Sequence, residues 1–390
     1  MYPSRRQRHI RKRVGLAIIV FLLILLGIGL FNVAKFLPAL FQLAFNKEIQ
    51  LKETKENRVN LLLLGVGGGT HDGPDLTDTI IFASIDPKTK NVTLVTVPRD
   101  LWVPDLSNKI NTAYTFGEEK REGGGLKLAK ATVGKVVGQQ IDYAVKIDFS
   151  GFTKAVDMMG GLDINVANTF DDYAYPVEGK ETEACGHTDS EIIDLTVKIA
   201  SGSATDAEAF PCRYEHLHFD AGPTHMNGVT ALKYVRSRHA EGPEGSDFAR
   251  SKRQEKVISA FKEKLFSAGT LLNPVKISNL VNILQSSIET DVKEDEYDDF
   301  VKLAQKVQHG KINSISIDTG NTTDEPYGLL DNPTPSAEFN NAWVVTPRVG
   351  NGDYSEIEKY VSCRINGIDC KIGQSGILTP TPTPTKTTKK

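Results

Sequence analysis

The stretch Ser246–Leu265, SDFARSKRQEKVISAFKEKL, concentrates the groups best suited to holding an anion. On a helix, Val257, Ile258, Phe261 and Leu265 form one apolar stripe. Asp247, Arg250, Arg253 and Gln254 continue that stripe toward the N-terminus, whereas Lys252, Glu255 and Lys256 lie away from it. The inward face therefore turns from apolar to cationic in its first two turns. Burying guanidinium groups without partners costs several kcal/mol. The pattern thus has two uses: an internal salt-bridge network, or an anion site at a helix N-terminus, where the dipole and free N–H groups help. Just upstream, KYVRSRHAEG supplies Arg236 and Arg238, which project to one side of an extended segment. Four arginines converge within 18 positions on one loop–helix corner, and their forks match the oxygens of two linked phosphates.

A second cluster comes from a hairpin. DTIIFASID and NVTLVTVP read as strands joined by the turn Pro87-Lys88-Thr89-Lys90. Pairing Asp86 with Asn91 places Asp78 opposite Arg99, a register that a bulge would shift by one or two residues. Asp78, Arg99 and Asp100 then form a mixed-charge cluster at a sheet edge. It serves either as a Mg²⁺ anchor beside a phosphate site or as a plain cross-strand salt bridge. In KINTAY, Lys109 and Asn111 are substrate-contact candidates; holding a turn is the other reading of Asn111.

The elements that must position these groups alternate. VNLLLLGVGG reads as a buried strand and a glycine-rich loop, followed by the hairpin. Helix patterns at about 125–138 and 149–159 flank the strand DYAVKID, and LDINVA follows as another strand. Further helices are expected at about 224–236, 247–266, 274–288, 295–308 and 354–362, with a strand at NSISID. This is an α/β pattern: a three-layer α/β/α sandwich with a mixed central sheet. Residues 171–212 are polar and read as an insertion. Cys185 and Cys212 bracket most of it, and Cys363 and Cys370 lie near the C-terminus. Two local disulfides are the favoured arrangement of these cysteines, and four buried thiols the alternative.

Charge is distributed unevenly. The chain of 390 residues has 46 Lys and Arg against 49 Asp and Glu. Six of the cations (Arg5, Arg6, Arg8, Arg11, Lys12 and Arg13) lie in residues 1–13, and removing them leaves 40 against 49, or −9. A basic tip on an acidic body argues against a nucleic-acid binder. Val14–Val33 runs 20 residues without a charge, enough for a helix of roughly 30 Å, a bilayer core. The cationic tip orients it as a transmembrane signal anchor with the body outside the cell membrane. No A-x-A site follows to mark a cleaved signal peptide. Residues 34–56 read as a connector, 57–317 as the extracytoplasmic domain, 318–376 as a C-terminal extension, and 377–390 as a disordered Thr/Pro-rich tail.

The order TDTIIFASID, VTVPRDLWV, KINTAY, AGPTHMNGVTALKYVRSRH and DFARSKRQ resembles the LytR-CpsA-Psr (LCP) family, strongly over residues 59–270 and loosely to 317. The resemblance implies a membrane-anchored phosphotransferase that moves a glycopolymer from a polyprenyl-pyrophosphate carrier onto peptidoglycan as a phosphodiester. It further implies that Asp78 helps bind Mg²⁺ and that Arg99, Arg236, Arg238, Arg253 and Gln254 hold the pyrophosphate. Asp100, Asp247 and Arg250 match positions that shape or support the site, and Asp100 or Asp247 would handle the acceptor hydroxyl. One departure is Leu76, where the family often has arginine. The alternatives are a pyrophosphatase acting on the lipid carrier and a non-catalytic polyprenyl-phosphate-binding regulator.

Other signals are weaker. GVGGGT is followed by a strand, and no G-x-x-x-x-G-K-[ST] supports nucleotide binding. His216 and His218 share a strand face, with His225 and His239 nearby, but no H-E-x-x-H is present. No G-x-S-x-G elbow marks a serine hydrolase.

Overall fold

In the computed structural model the described residues are 49–53, 57–68, 73–265, 287–320 and 327–378. The expected basic tip, the membrane segment, nearly all of the 274–288 helix and all but the start of the 377–390 tail lie outside them, as does most of the 34–56 connector. Among the described residues no helix is long and apolar enough to cross a membrane. Two compact units divide the chain, and the larger, Lys52–Val292 with Gln305–Lys390, carries the elements discussed below. In the smaller, Lys302 pairs with Asp298 and Asp299, both at 2.9 Å.

The strands in chain order are β1 (Val59–Val66), β2 (Thr77–Ile85), β3 (Val92–Thr96), the short β4 (Trp102–Val103) and β5 (Asn108–Lys109), and β6 (Tyr143–Asp148). Then follow β7 (Leu162–Val166), β8 (Phe170–Pro176), β9 (Tyr214–Phe219), β10 (Gly222–Met226), β11 (Ile288–Thr290) and β12 (Ile312–Ser316). Six of them form one mixed sheet, ordered β11-β6-β1-β2-β3-β12. β1 runs parallel to β6 and β3 parallel to β12, while β1–β2, β2–β3 and β6–β11 are antiparallel.

Period-2 alternation makes both faces of this sheet apolar. Leu62, Leu64, Ile80, Phe82 and Val95 point to one face, where helices Ala113–Lys120, Gly125–Val137 and Ser355–Ile365 cover them with residues such as Val133, Val136 and Val361. Ile81, Ala83 and Leu94 point to the other, against Ile258 of helix Asp247–Leu265. Residues after 317, expected as an extension, are thus part of the main core: Leu329, Leu330, Ile357 and Val361 pack into it. A second core joins helices Phe149–Met158 and Gly228–Arg236 to the antiparallel pairs β7–β10 and β8–β9, through Val156, Leu162, Phe170, Phe219, Tyr234 and Val257.

Two boundaries differ from the sequence reading, for local reasons. Helix Gly228–Arg236 starts four residues later than expected, because Gly222–Met226 is a strand and the Asn227 side chain caps the helix by accepting from Thr230 N at 2.8 Å. The expected insertion 171–212 begins inside a strand: β8 pairs with β9, and the excursion proper starts only after Pro176. Both local disulfides, Cys185–Cys212 and Cys363–Cys370, are formed.

Candidate active site

The hairpin register is the one the turn dictates. Asp86 N donates to Asn91 O at 2.9 Å, Ile81 faces Thr96, and Val97 N donates to Ile80 O at 2.9 Å. Two positions further on, Asp78 accepts from Arg99 Nη1. On the other flank of β2 the ladder slips. Gly65 faces Thr79 and Val66 faces Thr77, so Asp78 is the extra residue of a β-bulge. The bulge lets Asp78 and Thr79 both line one cleft, which strict alternation would forbid. The sequence reading put this cluster at a sheet edge; because β2 and β3 are inner strands, it sits instead at strand ends within the sheet.

After β3 the chain turns, with Leu101 N donating to Pro98 O at 3.1 Å, which presents Arg99 and Asp100 side by side. Val345 pins this turn from the C-terminal segment: its N–H donates to Asp100 O at 3.0 Å and its carbonyl accepts from Trp102 N at 2.9 Å. The Asp100 carboxylate accepts from Lys109 Nζ at 2.7 Å, with Arg99 Nε at 3.6 Å and Arg238 Nη2 at 3.7 Å. Burial alone would raise the Asp100 pKa, but the Lys109 hydrogen bond and the charges of Arg99, Lys109 and Arg238 hold it below the ordinary carboxylate value. Arg99 is likewise kept firmly charged, Asp78 and Asp100 outweighing its burial. Arg99 Nε and Asn111 Oδ1 are both buried without a hydrogen-bond partner.

The cleft holds about 130 Å³, several times the room one water needs. Asp78, Thr79, Arg99, Arg236, Arg238, Arg250 and Gln254 line it on one set of elements, and β8 closes it with Asp172 and Tyr175. Arg236 ends its helix with the guanidinium 4.1 Å from the Phe149 ring centre and 5.7 Å from that of Tyr175. Such rings fix a cation's position without neutralising it. Burial pushes the Tyr175 hydroxyl up despite Arg236. Arg236 and Arg238 face one cleft while Ser237 between them is fully buried, the alternation expected of that segment. Gln254 is anchored by Thr96 Oγ1, which donates to its Oε1 at 3.4 Å.

Arg253 corrects the sequence reading. It is 2% exposed and does not line the cleft. Its Nε donates to Tyr234 O at 3.0 Å, Nη2 to Ser237 O at 2.7 Å, and Nη1 to both the carbonyl and the carboxylate of Glu244, at 2.8 and 2.9 Å. Burial lowers its pKa, with Glu244 opposing. Its fork is therefore spent on the loop carrying Arg238, leaving it to position that loop, not to bind an anion. Lys109 and Asn111 lie behind the wall: Lys109 is held by Asp100, and Asn111 N donates to Arg99 O at 3.3 Å. Asp247 opens helix Asp247–Leu265, and its side chain is outside the described set.

Sequence reasoning missed Asp172 and Tyr175. Asp172 is fully buried, accepting from Ser237 Oγ at 2.6 Å and His239 N at 3.2 Å. The available signal was the aromatic spacing of FDDYAYP, strand-like inside an acidic stretch.

Taken together, four arginines face the cleft against Asp78 and a tied-down Asp172. Four cationic forks suit a polyanion, and the cleft-facing Asp78 carboxylate would fit Mg²⁺, which is commonly held by one or two carboxylates plus substrate phosphates.

The chain is similar to several known proteins. A polyisoprenyl-teichoic acid–peptidoglycan teichoic acid transferase TagU from Bacillus cereus is 27% identical over 258 residues, covering 65% of this chain and 66% of that protein. The corresponding TagV of Bacillus subtilis is 24% identical over 301 residues, covering 73% and 65%. The chain thus spans just under two thirds of the length of these curated relatives. A crystal structure from Enterococcus faecalis, of a protein described as a transcriptional regulator, shares the fold with a TM-score of 0.51 at 20% identity, covering 81% of this chain and 91% of that one. The family model LytR_cpsA_psr matches residues 41–338, three quarters of the chain, and the protein belongs to the LytR_cpsA_psr family.

Proposed function

We propose that this protein is a membrane-anchored phosphotransferase, acting outside the cell membrane, that moves a glycopolymer from a polyprenyl-pyrophosphate carrier onto peptidoglycan. The observation that carries the reading is the convergence of Arg99, Arg236, Arg238 and Arg250 on one cleft beside Asp78. The transferase names of the curated relatives support it, as does the uncharged stretch Val14–Val33 behind a cationic tip.

In this reading the arginines bind the pyrophosphate and stabilise charge on the departing polyprenyl phosphate. An acceptor sugar hydroxyl attacks the phosphorus that bears the glycan. A new P–O bond forms, the bond to the bridging oxygen breaks, and that oxygen leaves with the lipid phosphate. Asp78 would hold Mg²⁺, which would supply further neutralisation of phosphate charge. Asp100, kept ionised by three cations, orients Arg99, Lys109 and Arg238. The hydroxyl proton passes to Asp100 or Asp247, the two aspartates considered from sequence.

The test incubates the full chain with a lipid-pyrophosphate-linked oligosaccharide, Mg²⁺ and peptidoglycan fragments. A phosphodiester-linked product is expected. Free sugar phosphate would instead make the protein a pyrophosphatase, and tight binding without turnover a carrier-binding regulator. Normal transfer by Asp247→Asn would remove Asp247 from the mechanism.

A further inference from the structure

β8 and β9 carry a second constellation on the side facing away from the cleft. Successive strand residues point to opposite faces, so Asp172 faces the cleft and Asp171 faces outward. Asp171 pairs directly with His218 across the ladder, and His216 lies two residues along the same strand face. His216 Nε2 and His218 Nδ1 reach the same carboxylate oxygen, Asp171 Oδ1, at 2.7 and 2.8 Å. Among the described residues this is the one group of three metal-capable side chains whose ligand atoms all lie within 4.8 Å of each other.

The surroundings fix both rings. His216 stacks on Tyr173 with ring centres 4.2 Å apart and planes 6° from parallel. The far nitrogen of His218, Nε2, lies 3.2 Å from Asp220 Oδ1. A carboxylate behind a ligating imidazole is the usual outer partner of a metal-bound histidine, since it sets the tautomer and the ring's direction.

We infer that Asp171, His216 and His218 form a binding site for a divalent transition metal of the zinc type, with Asp220 as the outer carboxylate of His218. Two imidazoles and one carboxylate suit Zn²⁺ better than the oxygen-seeking Mg²⁺ expected at Asp78. With bonds of about 2.0–2.2 Å, tetrahedral ligand atoms sit roughly 3.4 Å apart. Small side-chain shifts from the observed contacts therefore admit the ion. Three protein ligands leave a fourth position for water. The role is a pin: the ion ties β8 to β9, and β8 is the strand that closes the anion cleft. A metal here does no chemistry on the cleft's substrate, because it lies across the strand from it. The absence of H-E-x-x-H argues only against a helical metalloprotease site, and this one is built on a hairpin.

The experiment uses the untagged full chain, stripped with chelator, titrated with Zn²⁺ by calorimetry and with Co²⁺ by visible absorption. One Zn²⁺ per chain is expected, with a rise in unfolding temperature and a cobalt ligand-field band. His216→Ala and His218→Ala should each weaken binding at least tenfold, and Asp220→Asn about tenfold. His225→Ala, which breaks a separate exposed pair with Asp163, should change nothing. His218→Gln keeps a polar side chain while removing the imidazole, and should also lose the cobalt band. Equal Zn²⁺ affinity in the wild type and in His216→Ala or His218→Gln would overturn the assignment, as would no saturable binding by the wild type.

Discussion

Arg238 and Arg253 stand at the same loop–helix corner, yet their surroundings divide them. Arg253 is nearly fully buried, and its donors reach two loop carbonyls, the end of the preceding helix and one carboxylate. Arg238 is about one-third exposed, and its contact with Asp100 is 3.7 Å, longer than a hydrogen bond. One guanidinium works as internal scaffolding and the other presents its charge to the cleft. Sequence position does not separate these roles; the burial of each fork and the acceptors around it do.

Substitutions test that division. The largest effect is expected from Arg253→Ala, which leaves Glu244 and the Tyr234 and Ser237 carbonyls facing an empty site. Unfolding stability should fall by about 3–5 kcal/mol, read by denaturant titration, and Arg253→Lys should recover only part of it. Next, Arg236→Ala or Arg238→Ala should weaken binding of a polyprenyl-pyrophosphate ligand roughly 10- to 100-fold, as loss of a charged hydrogen bond implies. Stability should move by about 1 kcal/mol or less. A large stability loss with unchanged affinity would erase the contrast with Arg253. Asp172→Ala tests the wall: stranding Ser237 Oγ and His239 N should cost roughly 1–3 kcal/mol by chemical denaturation.

The smallest effect concerns pH. Asp100 has a folded pKa below its ordinary 3.8, so its ionised form is favoured by folding. Its contribution is present above that ordinary value and is lost as pH falls through the folded one. The stability gap between wild type and Asp100→Asn, about 1 kcal/mol, should be flat near neutrality and close only in acid below pH 3.8. A gap that closes between pH 5 and 6 would mean another group controls it.

What could be read from sequence follows how local each cause is. The β2–β3 register was legible because a four-residue turn fixes it, and it carried Asp78 to Arg99 correctly. The inward face of helix Asp247–Leu265 was legible from its period: Arg250, Arg253 and Gln254 are all buried. The use made of that face was not, since two of the three carbonyls that occupy Arg253 come from a loop whose path no periodicity encodes. The bulge at Asp78 was hidden too, because it arises from pairing with β1 and not from the hairpin. Asp172 escaped notice because its polar neighbours disguise a strand whose buried face is decided by the second core.

The excursion between β8 and β9 has a consequence for how the protein tolerates change. At its base, Val177 N donates to Arg213 O at 2.8 Å, and Cys185–Cys212 ties it again a short way out. Its helix Asp189–Ala200 buries no residue. To the hairpin, whatever lies beyond that base is a loop with two permanently adjacent ends. That helix is a cartridge: exchanging it is expected to leave the strand register, and so the cleft wall, where it was, whereas Asp206 and Phe210 nearer the base hold Tyr214 and Arg213.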